Sequence, residues 1–315
     1  MSRAFYKGDD EMLRENLAGI EIMEVCPRDG WQNLKEYIPV EQKLAFIDRM
    51  MEAGVSSLQV TSFVHPKVVP QMKDAAEVAR ETVKRYPAGK LNALVPNLYG
   101  ARAAYEAGIR EVSFVISVSE THNQKNTGKT HEQSFEELQK IREQYPDMKI
   151  IMGCATTFGC PFEGRHPLHK ILSFLERGAA LGVHSIELSD TVGMGDPHQI
   201  EETFLAVRKA YPDLTLMAHL HDTRNNGVLN SWVAAHSGAD VIHTSLGGLG
   251  GCPFAPGASG NTSTEDLVYL FEKSGIKTGI DFEKILAAAR EMKAKIPGNY
   301  SGHQIRIGAD CSLPA

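Results

Sequence analysis

Two hydrophobic rhythms alternate along the chain. Short runs of apolar and β-branched residues recur at IEIMEV (20–25), SSLQVTSF (56–63), LNALVP (91–96), EVSFVISVS (111–119), KIIMGCATTF (149–158), SIELSD (185–190), LTLMAHLHD (214–222) and DVIHTSLGG (240–248). They show little in–out alternation, which predicts parallel strands covered on both faces. Each is followed by a stretch with apolar residues three and four apart, predicting helices over 41–54, 72–86, 100–108, 133–145, 168–182, 199–211, 229–238 and 264–275. Gly54, Gly108, Gly182, Gly238 and Gly275 close five of these helices. A glycine there adopts the left-handed conformation without a Cβ penalty. Eight strand–helix units of roughly 30 residues each predict a (β/α)8 TIM barrel, which commonly fills a chain of this length. A ninth helical pattern, 282–296, is appended to it. The expected organisation is an N-terminal extension (1–19), a barrel (20–280) and a C-terminal helix and tail (281–315). A doubly wound open sheet is the rival, but no G-x-G-x-x-G follows the first strand and no Walker A motif occurs.

Composition narrows the class. Of 315 residues, 42% are hydrophobic and 23% charged, which excludes a mainly disordered or fibrous chain. No apolar run approaches the ~20 residues of a membrane span. Thirty-nine acidic against 33 basic residues give a net charge of -6, which argues against a nucleic-acid binder. A local basic pocket for an anionic small molecule is compatible with that charge. The five cysteines form no C-x-x-C pair. The first residues carry Asp9, Asp10, Glu11 and Glu15 with no apolar stretch, unlike a secretory leader. Together these features lead to the expectation of a reducing, cytoplasmic location.

In a barrel of this kind, chemistry sits where the strands end. The first strand runs into Cys26-Pro27-Arg28-Asp29-Gly30-Trp31-Gln32-Asn33, which sets a guanidinium beside a carboxylate. A surface ion pair is the plain alternative. The seventh strand ends His219-Leu220-His221, and residues two apart on a strand share a face. Two imidazoles so placed can bind one divalent cation, although two unrelated polar ends fit the spacing equally. The sixth strand ends on Asp190. A glycine-rich stretch, LGGLGGCPFAPGASGN (246–261), follows the eighth strand, with Cys252 at its centre and Asn261 at its end. Such glycines suit a closing lid or close approach of backbone to a ligand. Asp29, His219, His221 and Asn261 together offer oxygen and nitrogen donors without thiolate, suiting an octahedral Mg²⁺ or Mn²⁺. The 120–130 stretch, with Lys125 and Lys129, is expected to be a loop, either solvated or meeting phosphates.

The stretches PRDGWQN, TSFVHPKVVPQM, SDTVGMG, HLHDT and GGLGGCPFAPGASGN with TSTEDLVYL resemble 3-hydroxy-3-methylglutaryl-CoA lyases, from Ile20 to about Ile280. These lyases belong to the TIM-barrel metallolyases named for an aspartate–arginine–glutamate trio. The resemblance implies retro-Claisen cleavage of a 3-hydroxyacyl-CoA to acetyl-CoA and a keto acid, acetoacetate in the parent reaction. It implies Asp29, His219, His221 and Asn261 as ligands of a divalent metal, Mg²⁺ or Mn²⁺. It implies Arg28, Asp29 and Cys252 as catalytic groups, with Gln32, Asp190 and Glu265 as further polar residues of the site. An acyl-CoA substrate and a homodimer or higher homo-oligomer are expected, with neither nucleic acid nor membrane as partner.

Departures from the family pattern qualify the expected substrate. Gln59 stands where the trio has its glutamate, Trp31 where leucine is usual and His243 where aspartate is usual. Arg224-Asn225-Asn226 replaces Tyr-Gly-Gln, and the family tyrosine of strand five falls near Gly153 or Cys154. Gln59 and Arg224 shift the local charge by about two positive units, and Trp31 is expected to narrow the pocket. Gln59, Arg224 and Lys125 are therefore candidate substrate contacts, with Arg28, Gln32 and Asp190. The alternatives are a lyase for a related thioester such as citramalyl-CoA or a branched hydroxyglutaryl-CoA, a condensing synthase using a 2-keto acid, and a metal and acyl-CoA binder without turnover.

Overall fold

Eight parallel strands form a closed ring: β1 (Glu21–Glu24), β2 (Ser57–Ser62), β3 (Lys90–Leu94), β4 (Glu111–Ser117), β5 (Lys149–Ala155), β6 (Ser185–Asp190), β7 (Thr215–Leu220) and β8 (Val241–Thr244). Each pairs with the next, and β8 closes on β1 through Glu21↔Val241 to Glu24↔Thr244. The arrangement comes from a computed structural model, which describes residues 20–251 and 260–307. Helices α1 (Val40–Glu52), α2 (Ala75–Arg85), α3 (Leu98–Glu106), α4 (Glu120–Thr127), α5 (His131–Gln144), α6 (Leu168–Ala180), α7 (Pro197–Ala210), α8 (Gly227–His236), α9 (Thr264–Lys273) and α10 (Phe282–Lys295) surround it. The (β/α)8 TIM barrel expected from the apolar rhythm is the fold observed. The expected N-terminal extension, Cys252 and Cys311 lie outside the described residues.

The apolar runs become strands because both their faces are covered. Every residue of β2, β6 and β8 is buried. One contiguous hydrophobic cluster links strands to helices, while Met23, Val25, Ile151, Met217 and Val241 form a separate small cluster. All five predicted helix-closing glycines have positive φ. Gly54 shows why no other residue serves there: its φ is +97°, and a Cβ would lie 2.4 Å from the Gly279 carbonyl oxygen. The appended helix α10 packs on α1 and on the turn after β8, with Cys26 Sγ 3.8 Å from Met292 Sδ. Among the described residues, no helix is long and apolar enough to cross a membrane.

Two local expectations are corrected. The stretch after β4 is not a loop, since Glu120–Thr127 form helix α4. It has polar residues on all sides, so no hydrophobic periodicity marks it. Its signals are terminal: the Ser119 hydroxyl accepts from His122 N, and Gly128 closes it with φ 70°. Trp31 does not narrow an open pocket. It is 0% exposed and packs within the main hydrophobic cluster.

Candidate metal centre

The end of β1 does not simply open into a loop. Residues Cys26–Gly30 wind into one wide helical turn, with Asp29 N donating to Val25 O at 2.7 Å and Trp31 N to Cys26 O at 3.0 Å. That turn carries Arg28 and Asp29 inward, to 8% and 5% exposure. Opposite them, the period-two geometry of β7 sends His219 and His221 the same way. Their Nε2 atoms are 3.1 Å apart, and Asp29 Oδ2 lies 3.8 Å from His219 Nε2 and 4.0 Å from His221 Nε2. Asn261 reaches the same place because its backbone bridges that of His221 in antiparallel fashion. Its amide nitrogen donates to Asp29 Oδ2 at 2.7 Å, so the nitrogen rather than the expected carbonyl oxygen faces the cluster. A half-turn about Cβ–Cγ presents the oxygen.

The protonation states suit a cation. Burial alone would raise the Asp29 carboxyl, but Arg28, the two histidines and the Asn261 amide outweigh it and hold it at about 2. Burial pushes His219 down to about 3 and also lowers His221, so both imidazoles are neutral and present lone pairs. Two neutral imidazoles and one carboxylate converging within 4.0 Å are hard-to-borderline ligands with no thiolate. The donor set therefore fits a divalent cation held by Asp29, His219 and His221, with Asn261 beside them.

Arg28 is clamped from two sides. Its Nε donates to Gln59 Oε1 and its Nη1 to Asp29 Oδ1. Gln59, fully buried on β2, is itself fixed by its amide donating to Ser113 Oγ at 2.9 Å. Gln32 adds a second donor to Asp29 Oδ1 at 2.6 Å. Among the described residues Arg28 Nη2 has no hydrogen-bond partner, so one donor edge remains for a ligand.

Other expected site residues are placed differently. Asp190, at the end of β6, accepts from Met194 N at 2.8 Å and Gly195 N at 2.9 Å, and burial raises its carboxyl to about 6. Its oxygens are thus spent on its own loop. Arg224 is exposed, and its Nη1 donates to Val192 O at 2.7 Å and Gly193 O at 3.1 Å. Lys125 stands on the exposed side of α4 with its ammonium 5.1 Å from the centre of the Phe162 ring, not in the cluster. Glu265 is buried, its Oε2 accepting from Gly247 N at 2.9 Å in the turn after β8.

Glu187 was not among the expected site residues, yet it sits in the barrel interior on β6, two positions before Ser189. Its Oε1 accepts from Ser189 Oγ at 2.8 Å, and its Oε2 lies 3.6 Å from His243 Nδ1. Burial opposes its charge, but His243, His219, Ser189 and Arg28 together lower its pKa, so it is ionised. Arg224 keeps its charge but turns it to carbonyls of the β6 loop, and Glu187 adds a buried anion to the Gln59 side of the barrel interior. A glutamate in the middle of a strand that predicts burial on both faces was the available signal.

Buried carboxyls also set a pH dependence. Burial, then the neighbouring Asp266, raises Glu265 to about 8. A raised folded-state value contributes stability that is complete below the unfolded value of 4.5 and lost as pH rises through about 8. Glu265 should therefore make thermal melting fall between about pH 4.5 and 8, and Glu265→Gln should flatten that fall by roughly 5 °C. Parallel melting curves for the two proteins would contradict it.

A family model described as HMGL-like matches residues 19–292. The hydroxymethylglutaryl-CoA lyase YngG of Bacillus subtilis (strain 168) is 38% identical over 279 residues, covering 88% of this chain and 93% of that protein. The human mitochondrial hydroxymethylglutaryl-CoA lyase is 39% identical over 273 residues, 85% of this chain and 83% of that one. Among solved structures, an HMG-CoA lyase from Acinetobacter baumannii, in complex with coenzyme A and 3-methylmalate, superposes with a TM-score of 0.87. It shares 37% identity and covers 94% of this chain and 97% of that one.

Proposed function

The chain belongs to the HMGL-like family and is a carbon–carbon lyase, and from that premise we propose that it cleaves 3-hydroxy-3-methylglutaryl-CoA to acetyl-CoA and acetoacetate. One observation carries the reading. Arg28 is locked between Gln59 and Asp29, while the far oxygen of Asp29 faces His219, His221 and Asn261. A guanidinium edge and a cation site thus share one carboxylate. The closely similar lyases, matched over most of their own length, support this substrate over a 2-keto acid or a silent binding role.

In the reaction the tertiary alcohol loses its proton, and the bond between the hydroxylated carbon and the thioester α-carbon breaks. The electron pair moves onto the thioester oxygen, and a proton returns to the α-carbon. A divalent cation, Mg²⁺ or Mn²⁺, held by Asp29, His219, His221 and Asn261 supplies Lewis-acid chemistry. Asp29, kept ionised by Arg28, Gln32 and Asn261, or a histidine beside it accepts the alcohol proton. Arg28 offers Nη2 to the developing enolate oxygen, and its clamped Nε and Nη1 prevent the guanidinium from swinging away. Gln59 cannot exchange a proton, so its part is to aim Arg28. Cys252 is assigned the return of the proton to the α-carbon. The enzyme is assigned to the cytoplasm, as a homodimer or higher homo-oligomer.

Incubation with 3-hydroxy-3-methylglutaryl-CoA and Mg²⁺ or Mn²⁺ should yield equal amounts of acetyl-CoA and acetoacetate, and a chelator should abolish both. Cleavage that survives chelation, or its absence with metal bound, would overturn the assignment. Faster turnover of citramalyl-CoA would move it to the related substrate.

A further inference from the structure

We propose that helices α7 and α8 form the seam on which a second copy of this chain docks, related to the first by a two-fold axis that crosses α7 at Leu205. The inference gives a surface to the homo-oligomer assigned above and does not depend on the reaction.

Helix α8 carries no Asp, Glu, Lys or Arg. Asn230, Ser231, Ala234 and Ala235 are on its buried side. The opposite stripe is Leu229, Trp232, Val233 and His236, spaced three and four apart. Leu229 is 49% exposed and the other three are half-buried. Trp232 is braced from within, its ring centre 4.2 Å from that of His236 and 5.7 Å from that of Phe271 on α9. A helix that faces water carries polar or charged residues on its outer side. Helix α5 does so, with Glu132, Glu136 and Lys140 exposed. Helix α8 does not, and a contiguous apolar stripe of this kind marks a contact surface. An aromatic centre with few charges is the composition such surfaces have.

The neighbouring helix names the occupant. Helix α7 packs beside α8 and runs the same way, because the two follow the adjacent parallel strands β6 and β7. Its Ile200, Phe204 and Val207 turn inward. Leu205 stands on the outer side at 53% exposure. Glu201 and Glu202 precede it by four and three residues, and Lys209 follows it by four, all exposed. Among the described residues none of these three charges has an ion-pair partner. The outer stripe of α7 thus reads acid, leucine, base. A two-fold axis lying across both helices sets each antiparallel on its own copy, so that every contact occurs twice. Centred on Leu205, it puts Glu201 and Glu202 of one copy opposite Lys209 of the other. Leucine meets leucine between them, and the uncharged stripe of α8 meets itself. A parallel pairing would set acid on acid and base on base. Laying α7 on the copy's α8 would cover three charges with apolar side chains, which is costly without a partner. The chain therefore carries its own complement, and a second copy satisfies the seam without any further charge.

The test is sedimentation velocity on the full chain. The unmodified protein should sediment as a dimer at micromolar concentration. Leu205→Asp sets two carboxylates face to face on the axis and should weaken the dimer by about 100-fold. Its far-UV circular dichroism should not change, because the side chain is half exposed. Lys209→Glu, or Glu201→Lys together with Glu202→Lys, should each weaken the dimer by about tenfold through like charges across the seam. All three changes in one chain exchange the signs of every pair and should restore the dimer. Mixing the two defective chains should yield mixed dimers, a recovery that a change acting within one copy could not give. An oligomer indifferent to Leu205→Asp, or no recovery on mixing, would overturn the seam while leaving the oligomer assignment in place. A monomeric unmodified chain would overturn both.

Discussion

Replacing Arg28 by methionine is expected to lower kcat for 3-hydroxy-3-methylglutaryl-CoA by about 10³-fold, the size of effect seen when a preorganised donor to a developing oxyanion is removed. The side chain has an exposure of only 8%, so its charge acts with little screening by water. Methionine roughly matches its volume but offers no donor. Arg28→Lys should be nearly as poor. The donors of an ammonium radiate from one atom, so it lacks the separated planar edges with which the guanidinium meets Gln59 through Nε and Asp29 through Nη1 and keeps Nη2 for substrate. Mn²⁺ affinity should change much less than kcat, because the facing ligand atoms belong to Asp29, His219 and His221. Steady-state kinetics beside Mn²⁺ titration separates the two effects. A kcat within tenfold of the unmodified enzyme would remove Arg28 from the chemistry.

Asp29→Asn should abolish tight Mn²⁺ binding, with a loss exceeding the ~100-fold typical of groups that only support a ligand. The carboxylate is the one formal charge among the three ligand atoms and is held ionised down to about 2. Its loss also leaves Arg28 without its buried counter-ion, and breaking such a pair typically costs about 3–5 kcal/mol. Melting temperature and metal affinity should therefore fall together, whereas Arg28→Met, which breaks the same pair but keeps all three ligand atoms, should lose stability with much less loss of metal affinity. Mn²⁺ binding of unchanged strength in Asp29→Asn would mean that the ion sits elsewhere.

The barrel was legible because burial on both faces leaves an unmistakable residue pattern. The unbroken apolar runs and the glycines at positive φ mark strand and helix ends without reference to anything distant. His219 and His221 were legible for the same reason, since a period of two is a property of one strand. What escaped notice depended on partners far apart in sequence or on a lack of pattern. The pairing of Glu187 with His243 joins β6 to β8 across an intervening strand, which no spacing encodes. The inward tuck of Arg28 depends on a wide turn at Cys26–Gly30, whose residues would serve equally in an open loop. Helix α4 escaped because its polar residues point every way, leaving only the caps at Ser119 and Gly128. Arg224 was read as a free cation because a sequence does not disclose carbonyls waiting at Val192 and Gly193.

The two roots of the glycine-rich segment after β8 carry a consequence for how such enzymes diversify. Gly250 and Gly260 pass so close that a Cβ on Gly260 would lie 2.6 Å from the Gly250 carbonyl carbon. Just beyond, Asp222 N donates to Gly260 O at 2.8 Å, and Ser245 N to Thr262 O at 2.9 Å, pinning the return strand against the barrel. The two described ends of the segment thus stand side by side. Once the ends of an excursion are fixed together, added length costs little, about 0.6 kcal/mol for each doubling. A change of length between Gly250 and Gly260 therefore leaves Asn261 in its place beside His221.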